Sequence, residues 1–181
     1  MKVIPTELRE VLVIEPRVYF DARGCFYESW NARSFARATG LSVDFVQDNH
    51  ACSMRNVLRG IHYQVVQPQG KLVRVVSGSV LDVVVDLRRA SPAFGRWVSF
   101  ELSADNRCQA WIPPGFGHGY LVRSAEATVL YKTTEYWIPE YDRAIRWDDP
   151  DLAIAWGLEE APILAKRDME APRLRDAEVF P

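Results

Sequence analysis

KLVRVVSGSVLDVVVDL, Lys71 to Leu87, reads as two short strands joined at a Ser-Gly-Ser turn: KLVRVV from Lys71 to Val76 and SVLDVVVDL from Ser79 to Leu87. Both are rich in β-branched valine, which suits a pleated, half-buried surface, and both are too short for helices of ordinary length. Working outward, the same grammar repeats. WVSFEL, Trp97 to Leu102, alternates with Val98, Phe100 and Leu102 on one face. TVLYKTT, Thr128 to Thr134, puts Val129, Tyr131 and Thr133 on one face. Between them lie the turn signals SPAFG (Ser91–Gly95), SADN (Ser103–Asn106) and PPGFG (Pro113–Gly117). Many short strands with turns at this spacing predict an all-β sandwich or barrel.

Helix signals are few. NARSFARATG carries a capping Asn31 and a stopping Gly40, and predicts one helix. A second short helix is expected near the C-terminus, in a loop-rich tail after Pro150. No repeat, linker or low-complexity run divides the 181 residues, so residues 1–181 read as a single domain.

Composition excludes several function classes. The formal net charge of −2 comes from interspersed charges with no basic block, so no nucleic-acid partner is expected. Apolar runs such as Val83–Val85 are far too short to cross a membrane, and MKVIPTELRE is no signal peptide. The three cysteines, Cys25, Cys52 and Cys108, form no CxxC pair and read as free thiols of a cytoplasmic protein.

Some segments hold more glycine and polar residues than a strand needs: DARGCFYESW (Asp21–Trp30), VLRGIHYQ (Val57–Gln64), QGKLVR (Gln69–Arg74), WIPPGFGHGYLV (Trp111–Val122) and YKTTEYWIPEYD (Tyr131–Asp142). The three histidines are His50, His62 and His118. Any one of them reads first as a satisfied or surface residue. As a set they are the ligands of a possible metal-dependent alternative, but no HxH or HxxxH pair brings them together, and no metal is expected. Lys71 reads first as a solvated strand end, Tyr131 as an amphipathic core residue, and Asp168 in AKRD as part of a solvated face. Arg23 and Arg59 each precede a glycine, which lets backbone approach a ligand while a guanidinium clamps phosphate.

Taken in order, FVQDNH, NVLRGIHYQ, QGKLVRV, WIPPGFGHGYLV, YKTTEYWIPEYD and AKRD resemble the dTDP-4-dehydrorhamnose 3,5-epimerases. LRGIHYQ followed by QGKLVRV, GFGHG and YKTT is a specific combination spanning most of the chain. The resemblance implies a cupin-like jelly roll that acts as a homodimer without metal or cofactor. The substrate would be a dTDP-4-keto-6-deoxy sugar, whose C4 ketone acidifies the hydrogens on C3 and C5. By the same resemblance His62 is the base, Asp168 its partner, Tyr131 the opposing acid, and Lys71 the cation for the enolate oxygen. Arg59, Arg23 and Glu28 fall on nucleotide or diphosphate contacts. Phe26 falls on a thymine-stacking position, in a segment that can reach the partner's pocket. Gln47 and Asn49 match polar substrate contacts, His118 a further substrate-binding position near the sugar, Tyr136 or Trp137 a second aromatic wall, and Asp142 and Lys166 further binding positions, with Arg167 able to replace Lys166. The chain departs from the family in Ala51 and Ala165, where serine is frequent, and in Asp142, where glutamate is usual. Epimerases of C3 or C5 alone share the pattern, and a non-catalytic sugar-nucleotide binding module would keep the arginines while losing the acid–base set.

Overall fold

A computed structural model describes residues 1–181. Its strands are β1 (Lys2–Pro5), β2 (Leu12–Glu15), β3 (Tyr19–Asp21), β4 (Gly24–Phe26), β5 (Gln47–Met54), β6 (Leu58–Gln64), β7 (Lys71–Ser77), β8 (Ser79–Asp86), β9 (Trp97–Ser103), β10 (Gln109–Ile112), β11 (Phe116–Val122), β12 (Glu126–Thr133) and β13 (Asp142–Ala144). The helices are α1 (Ala32–Thr39) and the four-residue α2 (Lys166–Met169). A six-stranded sheet runs β1-β2-β10-β7-β12-β5 and a five-stranded sheet runs β13-β6-β11-β8-β9, with antiparallel pairing throughout. This is the expected all-β, cupin-like jelly roll.

The predicted strands appear within a residue or two of their expected ends. The β7–β8 connection is the single residue Gly78, at φ 73°, where an added Cβ would strike the Glu126 carbonyl. Helix α1 starts and stops as its sequence directs. The Asn31 side chain accepts from Ser34 N at 3.0 Å, and Gly40 closes the helix at φ 75°.

The space between the sheets holds one apolar core, with Val73, Val75 and Val129 facing Val80, Val84, Val98 and Val122. The opposite face of β8 is not solvated. Val83, Val85 and Leu87 meet Leu152, Trp156, Leu174 and Ala177 of the C-terminal tail. That is why SVLDVVVDL runs apolar on both faces. The tail is loop-rich, as predicted, yet it is a third layer and not an appendage. Asp149 holds it by accepting from Leu174 N at 2.6 Å, and Tyr63 donates to the Glu178 carbonyl at 2.6 Å. Each large aliphatic side chain buried this way contributes roughly 1.5–3 kcal/mol. On the far side, Phe35 of α1 packs with Trp111, Leu72 and Ile14 on the outer face of the six-stranded sheet.

The β3–β4 hairpin belongs to neither sheet. All its strand residues are exposed, including Tyr19 at 53%, Phe20 at 70% and Phe26 at 70%.

Candidate active site

One end of the sandwich opens into a cavity of about 550 Å³. The six-stranded sheet lines it with Gln47, Asn49 and Ala51 of β5, Lys71 of β7 and Tyr131 of β12. The five-stranded sheet supplies Arg59 and His62 of β6, His118 and Tyr120 of β11, and Asp142 of β13. The tail closes the wall with Ala165, Arg167 and Asp168.

His62 and Tyr131 therefore project from opposing sheets. His62 Nε2 lies 2.5 Å from Asp168 Oδ1, a contact across 106 residues of chain. An ionised carboxylate only accepts, so Nε2 carries the hydrogen and the basic lone pair is on Nδ1. Burial pushes the His62 pKa below its ordinary value, against the pull of Asp168, with Arg167 and Lys71 adding to the lowering. The imidazole is thus neutral, and able to accept a proton, at neutral pH.

Lys71 is no solvated strand end: it is 8% exposed. Its Nζ donates to the His62 carbonyl at 3.4 Å, leaving further N–H groups unengaged by that contact. Burial lowers its pKa to about 8, while Asp142 and Asp82 act to hold the proton. Burial also raises the Tyr131 pKa, so its phenol keeps its proton. A neutral base, a protonated acid and a buried ammonium thus share one cavity.

Local geometry explains the positions. Gly60, at φ 127°, crosses so close to Gly119 that an added Cβ would run into the Gly119 backbone. This approach of β6 to β11 places Arg59 and His62 on the inner face, with His62 directly opposite His118. Arg59 Nε donates to Ser53 Oγ at 3.1 Å. At the mouth, Gln47 Nε2 donates to Asn49 Oδ1 at 2.8 Å, and Gln47 Oε1 accepts from Trp137 N at 3.0 Å. Asp142 Oδ2 accepts from Arg167 Nη1 at 2.5 Å and from Trp137 Nε1 at 3.0 Å. Those bonds, with the Arg167 charge, hold the Asp142 carboxyl low although burial alone would raise it.

Several expected residues stand elsewhere. Lys166 points away, with its side chain 81% exposed and 3.7 Å from Glu170, and the next residue, Arg167, is the basic group on the cavity. One residue along a helical turn rotates the side chain by about 100°. Tyr136 is 62% exposed and off the wall, which Trp137 forms instead. Arg23 and Phe26, on the hairpin, and Glu28 do not line the cavity of their own chain. Arg23 pairs with Asp21 at 2.6 Å, and Glu28 accepts from Asn31 at 2.8 Å. His50 is on the outer face of β5, 3.4 Å from Cys52, so the three histidines do not converge. Asp82, which accepts from His118 Nε2 at 2.9 Å, was not singled out from the sequence.

With that geometry in hand, comparison with known proteins identifies the family. The family model described as dTDP-4-dehydrorhamnose 3,5-epimerase matches residues 5–176. This chain belongs to the dTDP-4-dehydrorhamnose 3,5-epimerase family. It is 53% identical over 181 residues to the dTDP-4-dehydrorhamnose 3,5-epimerase of Pseudomonas aeruginosa, covering 100% of both chains. A crystal structure of dTDP-6-deoxy-D-glucose-3,5-epimerase from Legionella pneumophila, in complex with dTDP-4-keto-L-rhamnose, superposes with a TM-score of 0.95 at 47% identity, over 98% of this chain and 94% of that one. The 3'-monoepimerase ChmJ of Streptomyces bikiniensis, in complex with dTDP-quinovose, is 36% identical with a TM-score of 0.90, over 97% of this chain and 88% of that one. The family is one of isomerases.

Proposed function

We propose that this chain inverts C3 and C5 of dTDP-4-keto-6-deoxy-D-glucose to form dTDP-4-keto-L-rhamnose, a step of dTDP-L-rhamnose biosynthesis. The observation that carries the reading is the neutral His62, bonded to Asp168, facing the protonated Tyr131 across a cavity that also holds the Lys71 ammonium.

The C4 ketone acidifies the protons on C3 and C5. His62 Nδ1 takes one of them, and Asp168 stabilises the imidazolium that forms. The electron pair moves to the C4 oxygen, where the Lys71 N–H groups meet the enolate charge. Tyr131 returns a proton from the other face, which inverts the centre. A phenol suits that step because it is acidic enough to protonate an enolate carbon yet neutral at pH 7. No cofactor is asked for. Arg59 holds the diphosphate, Gln47, Asn49 and His118 hold sugar or nucleoside polar groups, and Arg167 with Asp142 takes the role expected of Lys166.

The assembly we infer is a homodimer. The exposed aromatics of the β3–β4 hairpin suit burial against a second copy. Arg23, Phe26 and Glu28 would then complete the partner's cavity, with Phe26 stacked on thymine. We place the enzyme in the cytoplasm, in keeping with three free cysteines. No helix is long and apolar enough to cross a membrane.

The test is proton exchange followed by NMR in heavy water with dTDP-4-keto-6-deoxy-D-glucose. Deuterium at both C3 and C5, with L-sugar formed when a reductase is coupled, is the expected result. Deuterium at one carbon alone would identify a single-site epimerase. Tight nucleotide binding without exchange would leave a binding module.

A further inference from the structure

One buried carboxylate bonds a cavity residue without itself lining the cavity, and it has no part in that chemistry. Asp82 lies mid-strand in β8, on the inner face with Val80 and Val84, directly across from Tyr120 of β11. Its exposure is 0%. Oδ2 accepts from His118 Nε2 at 2.9 Å, and Oδ1 is buried without a hydrogen-bond partner. A carboxylate is kept in such a place only where cations or donors compensate its burial.

The titratable groups facing Asp82 are His118 and Tyr120 from β11 and Lys71 from β7. Those facing Lys71 are Asp82, Asp142 from β13, Arg167 from α2 and His62 from β6. Asp142 is engaged by Arg167 and Trp137 at the mouth. Lys71 Nζ bonds the His62 carbonyl of β6, His62 pairs directly with His118 of β11, and His118 bonds Asp82 of β8, so the Lys71 ammonium stands two strands from a fully buried carboxylate.

We infer that Asp82 is a positioning residue for the epimerisation: one carboxylate oxygen fixes the Nε2–H form of His118, and the whole group supplies a buried countercharge to the Lys71 ammonium. The inference rests on the proposed function, since Lys71 is taken to meet the enolate. With Nε2 committed to Asp82, the neutral His118 ring offers Nδ1 as a fixed acceptor for a substrate hydroxyl. Without Asp82, the ring could rotate or exchange tautomers, and Lys71 would lose its proton at lower pH. An unaltered cavity shape alone would predict neither effect.

The experiment compares wild type with Asp82→Asn, which keeps volume and removes charge. The readout is C3 and C5 deuterium exchange as a function of pH, with kcat and KM determined separately. The expected result is an alkaline limb displaced downward by on the order of half a pH unit or more, with kcat reduced and KM nearly unchanged. A uniform loss of kcat with the limb unmoved would overturn the inference, because a packing role alone does that. Should Asp82→Asn fail to fold, wild-type protein labelled with 15N-histidine decides. A two-bond 1H–15N spectrum should show His118 protonated on Nε2, and a His118 protonated only on Nδ1 would refute the pairing. The two readings fail separately. Wild type without exchange sinks the epimerase, while the His118 spectrum still judges Asp82.

Discussion

His62–Asp168 and His118–Asp82 both join an imidazole Nε2 to a carboxylate, at 2.5 and 2.9 Å, but the carboxylates are mounted differently. Asp82 sits in the middle of a strand buried on both faces. Asp168 sits on the four-residue α2, part of the loop-rich tail, with the Arg167–Asp142 bond beside it. The His62 side chain is 28% exposed and that of His118 8%. In the function we propose, the open pair exchanges protons with a substrate and the closed pair keeps its hydrogen where it is. In that reading the same two residue types serve as a base in one place and a fixed support in the other, with burial and backbone setting deciding which.

Removing the open pair should cost most. His62→Ala is expected to lower kcat by at least ~10³-fold, the upper range of general-base contributions, and to abolish exchange at both carbons while circular dichroism stays unchanged. Asp168→Asn should lower kcat by about 10²-fold, because the amide can still bond the ring but cannot stabilise its cation. A near-normal rate in His62→Ala would remove it as the base and erase the contrast between the pairs. Tyr131→Phe comes next. Product formation should slow by about 10²-fold while proton removal at one carbon continues, since the phenol returns the proton and does not take it. Equal slowing of exchange and product would instead make Tyr131 a binding residue.

The pH profile sharpens the comparison further. The base must be neutral, and burial puts the His62 pKa below the ordinary 6.5, so the acid limb of kcat/KM should fall below that value. Lys71 must be charged, and its pKa is lowered to about 8, so activity should fall as pH rises through about 8. Each limb changes by tenfold per unit at its steep end. Arg167→Gln removes a cation that favours neutral His62 and should move the acid limb upward by a few tenths of a unit. Lys166→Gln should move neither limb. If Lys166 shifts the profile and Arg167 does not, their assignment is reversed.

How much of this was legible in the sequence depends on which side of a strand faces the cavity. β7, β8, β9 and β12 were readable because apolar residues mark their buried faces. β5, QDNHACSM, was not, because its inward residues Gln47, Asn49 and Ala51 line the site, which removes the apolar alternation. β11, FGHGYLV, hid behind Gly117 and Gly119, which are small because Ile61 packs against them. The tail read as loop because it is loop, and nothing in a period of two or 3.6 announces that Trp156 and Leu174 cover a sheet. Lys166 against Arg167 turned on the rotation of one short turn. Asp82 had a signal: it keeps the parity of Val80 and Val84 in a run buried on both faces, and a lone carboxylate there has to be engaged by something.

The smallest expected effect tests the mounting itself. Ala165 occupies the N-cap of α2 and makes no side-chain capping bond. Serine there would accept from a backbone N–H of the first turn, and such caps stabilise by about 0.5–1 kcal/mol. Ala165→Ser should therefore raise Tm by roughly 1–4 °C, given that 1 kcal/mol shifts a protein of this size by about 2–4 °C. Because the cap would steady the turn that carries Asp168, kcat should stay the same or rise slightly. A serine at the cap of a rigid element would change stability alone. If Ala165→Ser stabilises the fold and lowers kcat, the turn has to move during turnover, and Asp168 is then a carboxylate that follows its histidine through the reaction. If both quantities are unchanged, the Arg167–Asp142 bond already holds the turn, and α2 is as firmly fixed as β8 despite its length.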